Sequence, residues 1–160
     1  MSEAAAWPEP DWEPVQPFPF AAARGVFAGM TSTEDSILLH YYRRPDRSLA
    51  AVAEFGRRAE GAPGLVHGGA ILPVLDEALG AAAWLAGRPV MTASLDTEFR
   101  KGLPIGMIVH VETRLLRERH RLVFLEGSLS GRDGTLYARA SGRYIVLDDA
   151  TLRRLFGRTP

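Results

Sequence analysis

The sequence contains no cysteine, which excludes disulfide bonds, thiolate metal sites and cysteine nucleophiles. Its charges balance at 19 basic and 19 acidic residues, so the overall charge does not favour nucleic-acid binding. The N-terminal segment lacks the basic start and apolar core of a signal peptide. No apolar run reaches the ~20 residues of a membrane-spanning helix. These absences predict a cytoplasmic protein without nucleic-acid or membrane partners.

Several motifs of well-known catalytic sites are also missing. The histidines show neither His-x-x-x-His spacing nor a neighbouring acid cluster, so no metal site is predicted. Glycine-rich phosphate loops and the G-x-S-x-G nucleophile elbow are absent as well. The four histidines are His40, His67, His110 and His120.

Residues 1–19 are rich in proline, which predicts an extended N-terminal arm rather than a helix or a strand. The aromatic side chains of this region indicate that the arm lies against the body of the protein, and a partly disordered tail is the open alternative. Residues 20–160 are long enough for a single domain with its own core. A short helix is expected within residues 20–31. The aromatic residues concerned are Trp7, Trp12, Phe18 and Phe20.

Short runs with period-two alternation predict strands on both sides of one helix. Two runs precede the helix, and four follow it, with Asp133-Gly134 predicting a hairpin turn between the last two. The expected fold class is therefore α+β, with an antiparallel sheet wrapped around one long central helix. The last residues predict a short C-terminal turn or helix. The predicted strands cover residues 37–43, 49–55, 90–99, 107–115, 121–130 and 135–147.

Residues 69–86 are the strongest helix candidate, because alanine and leucine dominate and β-branched residues are rare. Pro73 is tolerated best in the first turn, which predicts that the helix starts within residues 69–72. The opposite side of the helix is also mostly apolar, which predicts a buried helix. Its predicted core stripe consists of Ile71, Leu75, Ala78, Leu79, Ala82 and Leu85.

His67-Gly68-Gly69 leads directly into this helix. A helix N-terminus collects unpaired backbone N–H groups and the positive end of the helix dipole. Glycines let a substrate approach the backbone closely, so the segment could bind a carbonyl oxygen that becomes negative during acyl transfer. The alternative is a glycine-rich loop that only turns the chain.

Asp76 and Glu77 interrupt the apolar helix. A carboxylate in a dry segment is usually partnered or functional. Asp76 lies about two turns, or roughly 10 Å, beyond Gly69. Asp76 can act on a substrate held at Gly69 only if the substrate extends along the helix or if a neighbouring subunit completes the site. The structural alternative is that Asp76 bonds a strand hydroxyl or lies exposed at a dimer interface. Glu77 is expected at the surface or at such an interface.

Thr92 and Ser94 alternate with apolar residues in the strand after the helix, which predicts that both hydroxyls lie on one face. Such a hydroxyl could orient water or a carboxylate, although strand hydroxyls are more often ordinary residues. Arg100 and Lys101 follow this strand. They form either a solvated edge or a contact for the phosphates of a large anionic molecule.

Two stretches, GAPGLVHGGAILPVLDEALG and VMTASLDTEFRKGLPIG, resemble hotdog-fold acyl-CoA thioesterases of the PaaI and 4-hydroxybenzoyl-CoA thioesterase type, the second especially the THEM-type enzymes. The resemblance covers residues 37–147. It implies that the Gly68 N–H polarises the thioester carbonyl and that Asp76 is the nucleophile or general base. It also implies that Thr92, from the facing subunit, positions water or Asp76, and that His67 shapes the site.

The resemblance further implies an acyl-CoA substrate and no cofactor, since coenzyme A is part of the substrate. It implies a homodimer or homotetramer with active sites at the subunit interface. Gly69, Ser94, Arg100 and Lys101 are the expected substrate-binding residues. Two alternatives stay open: a hotdog hydratase or dehydratase acting on acyl thioesters, and a non-catalytic acyl-CoA-binding module.

Overall fold

The computed structural model describes residues 7–19 and 37–157. The predicted short helix within residues 20–31 and the side chain of Phe20 lie outside these residues. The helices are α1 (Gly68–Leu85) and α2 (Asp149–Phe156), and a 3₁₀ turn covers Arg57–Ala59. The strands are β1 (Glu13–Pro14), β2 (Ile37–Arg43), β3 (Leu49–Phe55), β4 (Val90–Phe99), β5 (Ile108–Arg119), β6 (Leu122–Ser130) and β7 (Leu136–Val146).

In the described part of the chain, the strands form one antiparallel sheet in the order β1-β2-β3-β5-β6-β7-β4. Helix α1 packs across one face of this sheet, and the apolar side chains between helix and sheet form the core. The predicted order of two strands, one helix and four strands is confirmed, the predicted C-terminal turn or helix is α2, and β1 is an additional strand. The fold is α+β with the hotdog arrangement of a sheet wrapped around a central helix.

Helix α1 begins one residue before its predicted range, at Gly68. The side chain of His67 accepts a hydrogen bond from the Gly69 N–H and caps the helix. Pro73 is therefore the sixth residue of the helix rather than a member of its first turn, so the expected position was wrong. The N–H that Pro73 lacks would have bonded the Gly69 carbonyl, and the helix continues past this missing bond.

Less of α1 is buried than its composition predicts. The helix is long and apolar enough to cross a membrane by length and composition alone, but its core face packs on the sheet. Ala82 and Leu85 of the predicted stripe are only half-buried, and Leu72 is exposed. One side of the helix thus remains open in the single chain. The fully packed positions are Ile71, Val74, Leu75, Ala78, Leu79, Gly80, Ala81 and Ala83.

Strand β4 lies at one edge of the sheet and buries neither face after Val90. Met91 and Phe99 are 56% and 51% exposed. The predicted alternation fails here, because a bulge at Ala93 shifts the register with β7. A bulge adds one residue to a strand and so reverses the face on which the later side chains lie. The prediction of one buried face on this strand was therefore wrong for the single chain.

The described part of the N-terminal arm packs on the sheet. Strand β1 pairs with β2, and Phe18 enters the core beside Tyr41 and Trp84. Further along the arm, the rings of Trp7 and Trp12 lie 5.0 and 5.3 Å from the ring of His110. The arm therefore covers a histidine on the sheet face that α1 leaves open.

His110 is buried under these indole rings, and its Nε2 lies 2.8 Å from Nη2 of Arg44. Arginine can only donate, so Nε2 of His110 is the acceptor. Burial, and after it the Arg44 charge, lower the pKa of His110 to about 4, while the Glu112 charge opposes them. Protonated His110 would meet the Arg44 guanidinium at hydrogen-bond distance.

We expect acid to destabilise the protein through His110. In the unfolded chain His110 takes up a proton near its ordinary pKa of 6.5, whereas the folded protein resists protonation down to about 4. The unfolded state then binds more protons in this window, so the free energy of unfolding falls as the pH drops from 6.5 to 4. Urea denaturation followed by tryptophan fluorescence across this window measures the loss.

His110→Gln should flatten this pH dependence, because glutamine can accept from Arg44 without titrating. His40→Gln, which removes an exposed histidine of β2, is the control. Equal pH slopes for wild type and His110→Gln would contradict the interpretation.

Candidate active site

The segment before α1 is held by backbone hydrogen bonds to two other loops. The Val66 N–H donates to the Leu103 carbonyl at 2.8 Å, and the His67 N–H donates to the Ala59 carbonyl at 2.7 Å. The His67 backbone is extended, and its imidazole turns back over the helix start. His67 thus shapes the N-terminus of α1 directly, through a cap that the sequence analysis did not identify.

Only one of the first N–H groups of α1 lacks an acceptor among the described residues. The Gly69 N–H donates to Nδ1 of His67 at 2.9 Å. The N–H groups of Ala70 and Ile71 both donate to the His67 carbonyl. Gly68 is left with an unpaired N–H at the positive end of the helix dipole. Of the two glycines proposed from the sequence, Gly68 therefore offers a backbone donor, and Gly69 does not.

Neighbouring side chains crowd both glycine positions. A Cβ at position 68 would lie 3.1 Å from Cζ of Phe99, and a Cβ at position 69 would lie 2.8 Å from Nδ1 of His67. The Phe99 ring, at the end of β4, therefore stands directly over the helix start. The His-Gly-Gly sequence is explained by an imidazole cap and an aromatic ring that share the space beside the helix start.

Asp76 is half-buried on α1, and one of its two carboxylate oxygens is held by two hydroxyls. Oγ1 of Thr92 donates to Oδ1 at 2.8 Å, and the Tyr144 hydroxyl donates to the same oxygen at 3.0 Å. Oδ2 makes no hydrogen bond within residues 7–19 and 37–157. The carboxylate is thus fixed from two neighbouring strands, β4 and β7, with one oxygen left for another group.

Tyr144 is the contact that the sequence analysis missed. Its side chain is 1% exposed, and it lies within the run of residues 135–147 that was predicted only as a strand. Burial raises the pKa of the Tyr144 hydroxyl, and the Asp76 charge and the hydrogen bond to Asp76 raise it further. The hydroxyl therefore stays protonated and remains a donor. The available sequence signal was Gly142, since a glycine inside a strand often marks a close approach.

Thr92 meets Asp76 of the same chain, although the resemblance placed Thr92 on a facing subunit. Thr92 pairs with Tyr144 across the β4–β7 ladder, which turns its side chain towards α1. Ser94 pairs with Arg143 and accepts a hydrogen bond from the Arg143 Nε at 2.8 Å. The bulge at Ala93 thus places Thr92 and Ser94 on opposite faces, and Ser94 lies away from Asp76.

Arg100 and Lys101 directly follow Phe99, whose ring stands over the N-terminal end of α1. Both backbone N–H groups donate to the Tyr137 carbonyl, which holds the segment on β7. The Arg100 guanidinium pairs with Glu98 at 2.9 Å, so its charge is already compensated. Lys101 is exposed. Of the two basic residues, Lys101 has its charged group more readily available to an anionic ligand.

The two acids of α1 face different parts of the sheet. Asp76 faces β4 and β7, whereas Glu77 is half-buried beside Tyr41 of β2, where burial raises the pKa of the Tyr41 hydroxyl and the Glu77 charge raises it further. The expectation that Glu77 lies at the surface or at a dimer interface was wrong. Successive helix positions point about 100° apart, which explains the separation.

A groove of about 660 Å³ crosses the other face of the sheet, away from α1. Its charged side chains pair with one another, for example Arg139 with Glu98 at 2.9 Å and Arg114 with Glu126. The groove is separated from Asp76 by the sheet itself. In the described part of the chain, no group of three or more histidine, aspartate or glutamate residues is arranged to bind a metal ion.

Gly68 and Asp76 are eight residues apart on α1. This spacing corresponds to about 12 Å along the axis at ~1.5 Å per residue. An atom within hydrogen-bond distance of the Gly68 N–H is therefore too far from the Asp76 carboxylate of the same chain. The two groups can act on one substrate atom only if another copy of the chain supplies one of them.

Comparisons with known proteins agree with this architecture. The chain is 37% identical over 104 residues to the acyl-coenzyme A thioesterase THEM4 of Bos taurus, covering 64% of this chain and 43% of that protein. It is 31% identical over 109 residues to THEM4 of Rattus norvegicus, covering 68% of this chain and 47% of that protein. The chain thus spans less than half the length of these two curated relatives.

Solved structures show the same fold. A thioesterase superfamily protein superposes with a TM-score of 0.64 at 25% identity, covering 68% of this chain and 53% of that one. A hypothetical thioesterase of Streptococcus pneumoniae, solved with coenzyme A, superposes with a TM-score of 0.59 at 12% identity, covering 62% and 77%. Residues 63–138 match the sequence profile named Thioesterase superfamily. The chain therefore carries a hotdog domain of the thioesterase superfamily, as its His-Gly-Gly and Asp76 pattern predicted.

Proposed function

We propose that the protein is an acyl-CoA thioesterase, which hydrolyses an acyl-CoA to the free acid and coenzyme A. The observation that carries the proposal is the Asp76 carboxylate, whose Oδ1 accepts from two hydroxyls while Oδ2 remains without a partner among the described residues. The curated relatives named acyl-coenzyme A thioesterase support the substrate class. A neighbour of the same fold was solved with coenzyme A.

In the proposed reaction, the thioester carbonyl oxygen accepts a hydrogen bond from the Gly68 N–H. This donor and the helix dipole stabilise the negative charge that develops on the oxygen. Asp76 then acts in one of two ways. Its free oxygen attacks the carbonyl carbon and releases the CoA thiolate, leaving an acyl-aspartyl anhydride for water to hydrolyse, or it takes a proton from the water that attacks.

The spacing on α1 favours a site shared between two copies of the chain. Because Gly68 and Asp76 of one helix lie about 12 Å apart, the Gly68 of one chain would work with the Asp76 of another. The exposed edge strand β4 and the open side of α1 give the second copy an apolar surface, including Leu72 and Phe99. Gly68 then binds the carbonyl, the exposed Lys101 is the candidate contact for the CoA phosphates, and Thr92 holds Asp76.

The hydratase alternative receives less support from this site. A hydratase of the hotdog class would need a histidine to cooperate with the acid. Among the described residues the hydrogen-bond partners of the Asp76 carboxylate are Thr92 and Tyr144, and His110 lies under the N-terminal arm. The measurement that separates the enzyme from a binding module is thioester cleavage itself.

Asp76→Asn should lower kcat by roughly 10²–10⁴-fold, the range for loss of a positioned general base. Asparagine keeps an Oδ1 that can accept from Thr92 and Tyr144, so we expect the fold to be retained. The assay follows free thiol release from short-chain, long-chain and aryl acyl-CoAs. Asp96→Asn, on the exposed face of β4, is the matched control and should hydrolyse like wild type. An active Asp76→Asn would contradict the assignment.

The role of the Gly68 N–H can be isolated by comparing Gly68→Pro with Gly68→Ala. Both variants add a Cβ beside Phe99, but only proline removes the N–H. Proline is favoured at the first helical position, and the extended His67 backbone suits a residue before proline. We expect Gly68→Pro to lose a further 10²–10³-fold or so in kcat, as for removal of one oxyanion donor. Equal rates for the two variants would exclude the donor role.

A shared site predicts complementation between two inactive variants. In a mixed dimer of Gly68→Pro and Asp76→Asn, one site carries both changes and the other carries neither. Random mixing should therefore restore about a quarter of wild-type activity if the site is built from two chains related by two-fold symmetry. If both groups of a site came from one chain, each site would carry one change and the mixture would stay inactive.

A further inference from the structure

Tyr144 occupies a space that Gly142 leaves open, with Gly80 of α1 at van der Waals distance on its other side. A Cβ at position 80 of α1 would lie 4.0 Å from Cε1 of the Tyr144 ring. A Cβ at position 142 of β7 would lie 2.4 Å from Cε2 and 3.1 Å from the hydroxyl oxygen. The Tyr144 ring therefore lies over Gly142 on β7 and leaves no room for a side chain at position 142. This position brings the hydroxyl to the middle of α1.

The hydroxyl of Tyr144 has two acceptors on Asp76. It lies 3.0 Å from Oδ1 of the carboxylate and 3.3 Å from the backbone carbonyl oxygen. Thr92 donates to the same Oδ1 at 2.8 Å from the neighbouring strand. A carboxylate that accepts two donors on one oxygen cannot rotate to exchange its oxygens without losing both hydrogen bonds.

We propose that Tyr144 is a positioning residue, which with Thr92 fixes Oδ1 of Asp76 so that Oδ2 faces the reacting thioester or water. This proposal rests on the proposed function of Asp76. Tyr144 is 1% exposed and lies behind the carboxylate, so it acts through Asp76 rather than by touching the substrate. Gly142 is part of the same arrangement, because the ring reaches Asp76 only through the space beside it.

The proposal predicts a loss in kcat with little change in KM. Tyr144→Phe keeps the ring and removes only the hydroxyl. We expect kcat to fall roughly 10- to 100-fold, the effect of one hydrogen bond to a charged group, while KM stays within about twofold of wild type. The measurement is steady-state thiol release with the best acyl-CoA of the substrate panel.

Tyr137→Phe is the matched control. Tyr137 is a second buried tyrosine of β7, and its hydroxyl donates to the Met107 sulfur at 3.0 Å rather than to Asp76. Both variants lose a buried hydroxyl on the same strand, so a purely structural effect would appear in both. Comparable thermal midpoints with a low kcat in Tyr144→Phe alone would support the positioning role.

Gly142→Ala tests the same role with the hydroxyl retained. The added methyl group collides with the ring and must displace it, so we expect a kcat loss in the same direction as for Tyr144→Phe. If Tyr144→Phe fails to fold, Gly142→Ala still tests whether Tyr144 positions Asp76. A wild-type kcat in folded Gly142→Ala, or in folded Tyr144→Phe, overturns the proposal.

The outcomes separate this inference from the proposed function. If wild type hydrolyses no acyl-CoA, the proposed function fails. If wild type is active but Asp76→Asn is equally active, the assignment of Asp76 fails and the positioning role of Tyr144 fails with it. If Asp76→Asn is inactive but Tyr144→Phe and Tyr137→Phe have equal kcat values, only the positioning role of Tyr144 fails. A rise in KM without a change in kcat would assign Tyr144 to the substrate pocket and also overturn the proposal.

Discussion

The packing of one rigid helix against the sheet fixes the spacing on which the proposed mechanism depends. Helix α1 carries both the Gly68 N–H, which has no acceptor among the described residues, and the Asp76 carboxylate. The helix rise keeps them about 12 Å apart, and the contacts of α1 with five strands prevent adjustment by bending. A thioester carbonyl therefore cannot meet both groups in one chain. This constraint, rather than the size of any exposed surface, is the physical argument for a shared site.

The surface that a single chain leaves exposed is consistent with a site shared between two chains. Strand β4 is an edge strand that buries neither face beyond Val90, and α1 leaves one side uncovered. The two elements that carry the proposed site are thus also the elements that remain incompletely packed. Phe99 connects the two features, because its half-exposed ring stands over Gly68 at the helix start. An edge strand with exposed apolar side chains is a surface that proteins usually cover.

Much of the fold could be predicted because its signals are periodic. Period-two runs marked the strands, and an acid inside an apolar helix marked Asp76. The pairing of Asp76 with Thr92 was one of the structural alternatives weighed from the sequence. Alternation cannot reveal a bulge, so it wrongly placed Thr92 and Ser94 on one face. Tyr144 escaped notice because a buried tyrosine on a strand has the same sequence pattern whether it fills the core or holds a carboxylate.

Four departures from regular structure lie beside the candidate site. His67 is an uncommon N-cap, Pro73 lies inside a helix, Ala93 forms a bulge and Gly142 lies within a strand. Each is locally less favourable than the regular alternative. The cap occupies the Gly69 N–H, the bulge lets Thr92 face α1 while Ser94 turns away, and the strand glycine admits the tyrosine ring. Proteins break local rules of regular structure at functional sites, so these positions beside Gly68 and Asp76 are consistent with a functional role for the site.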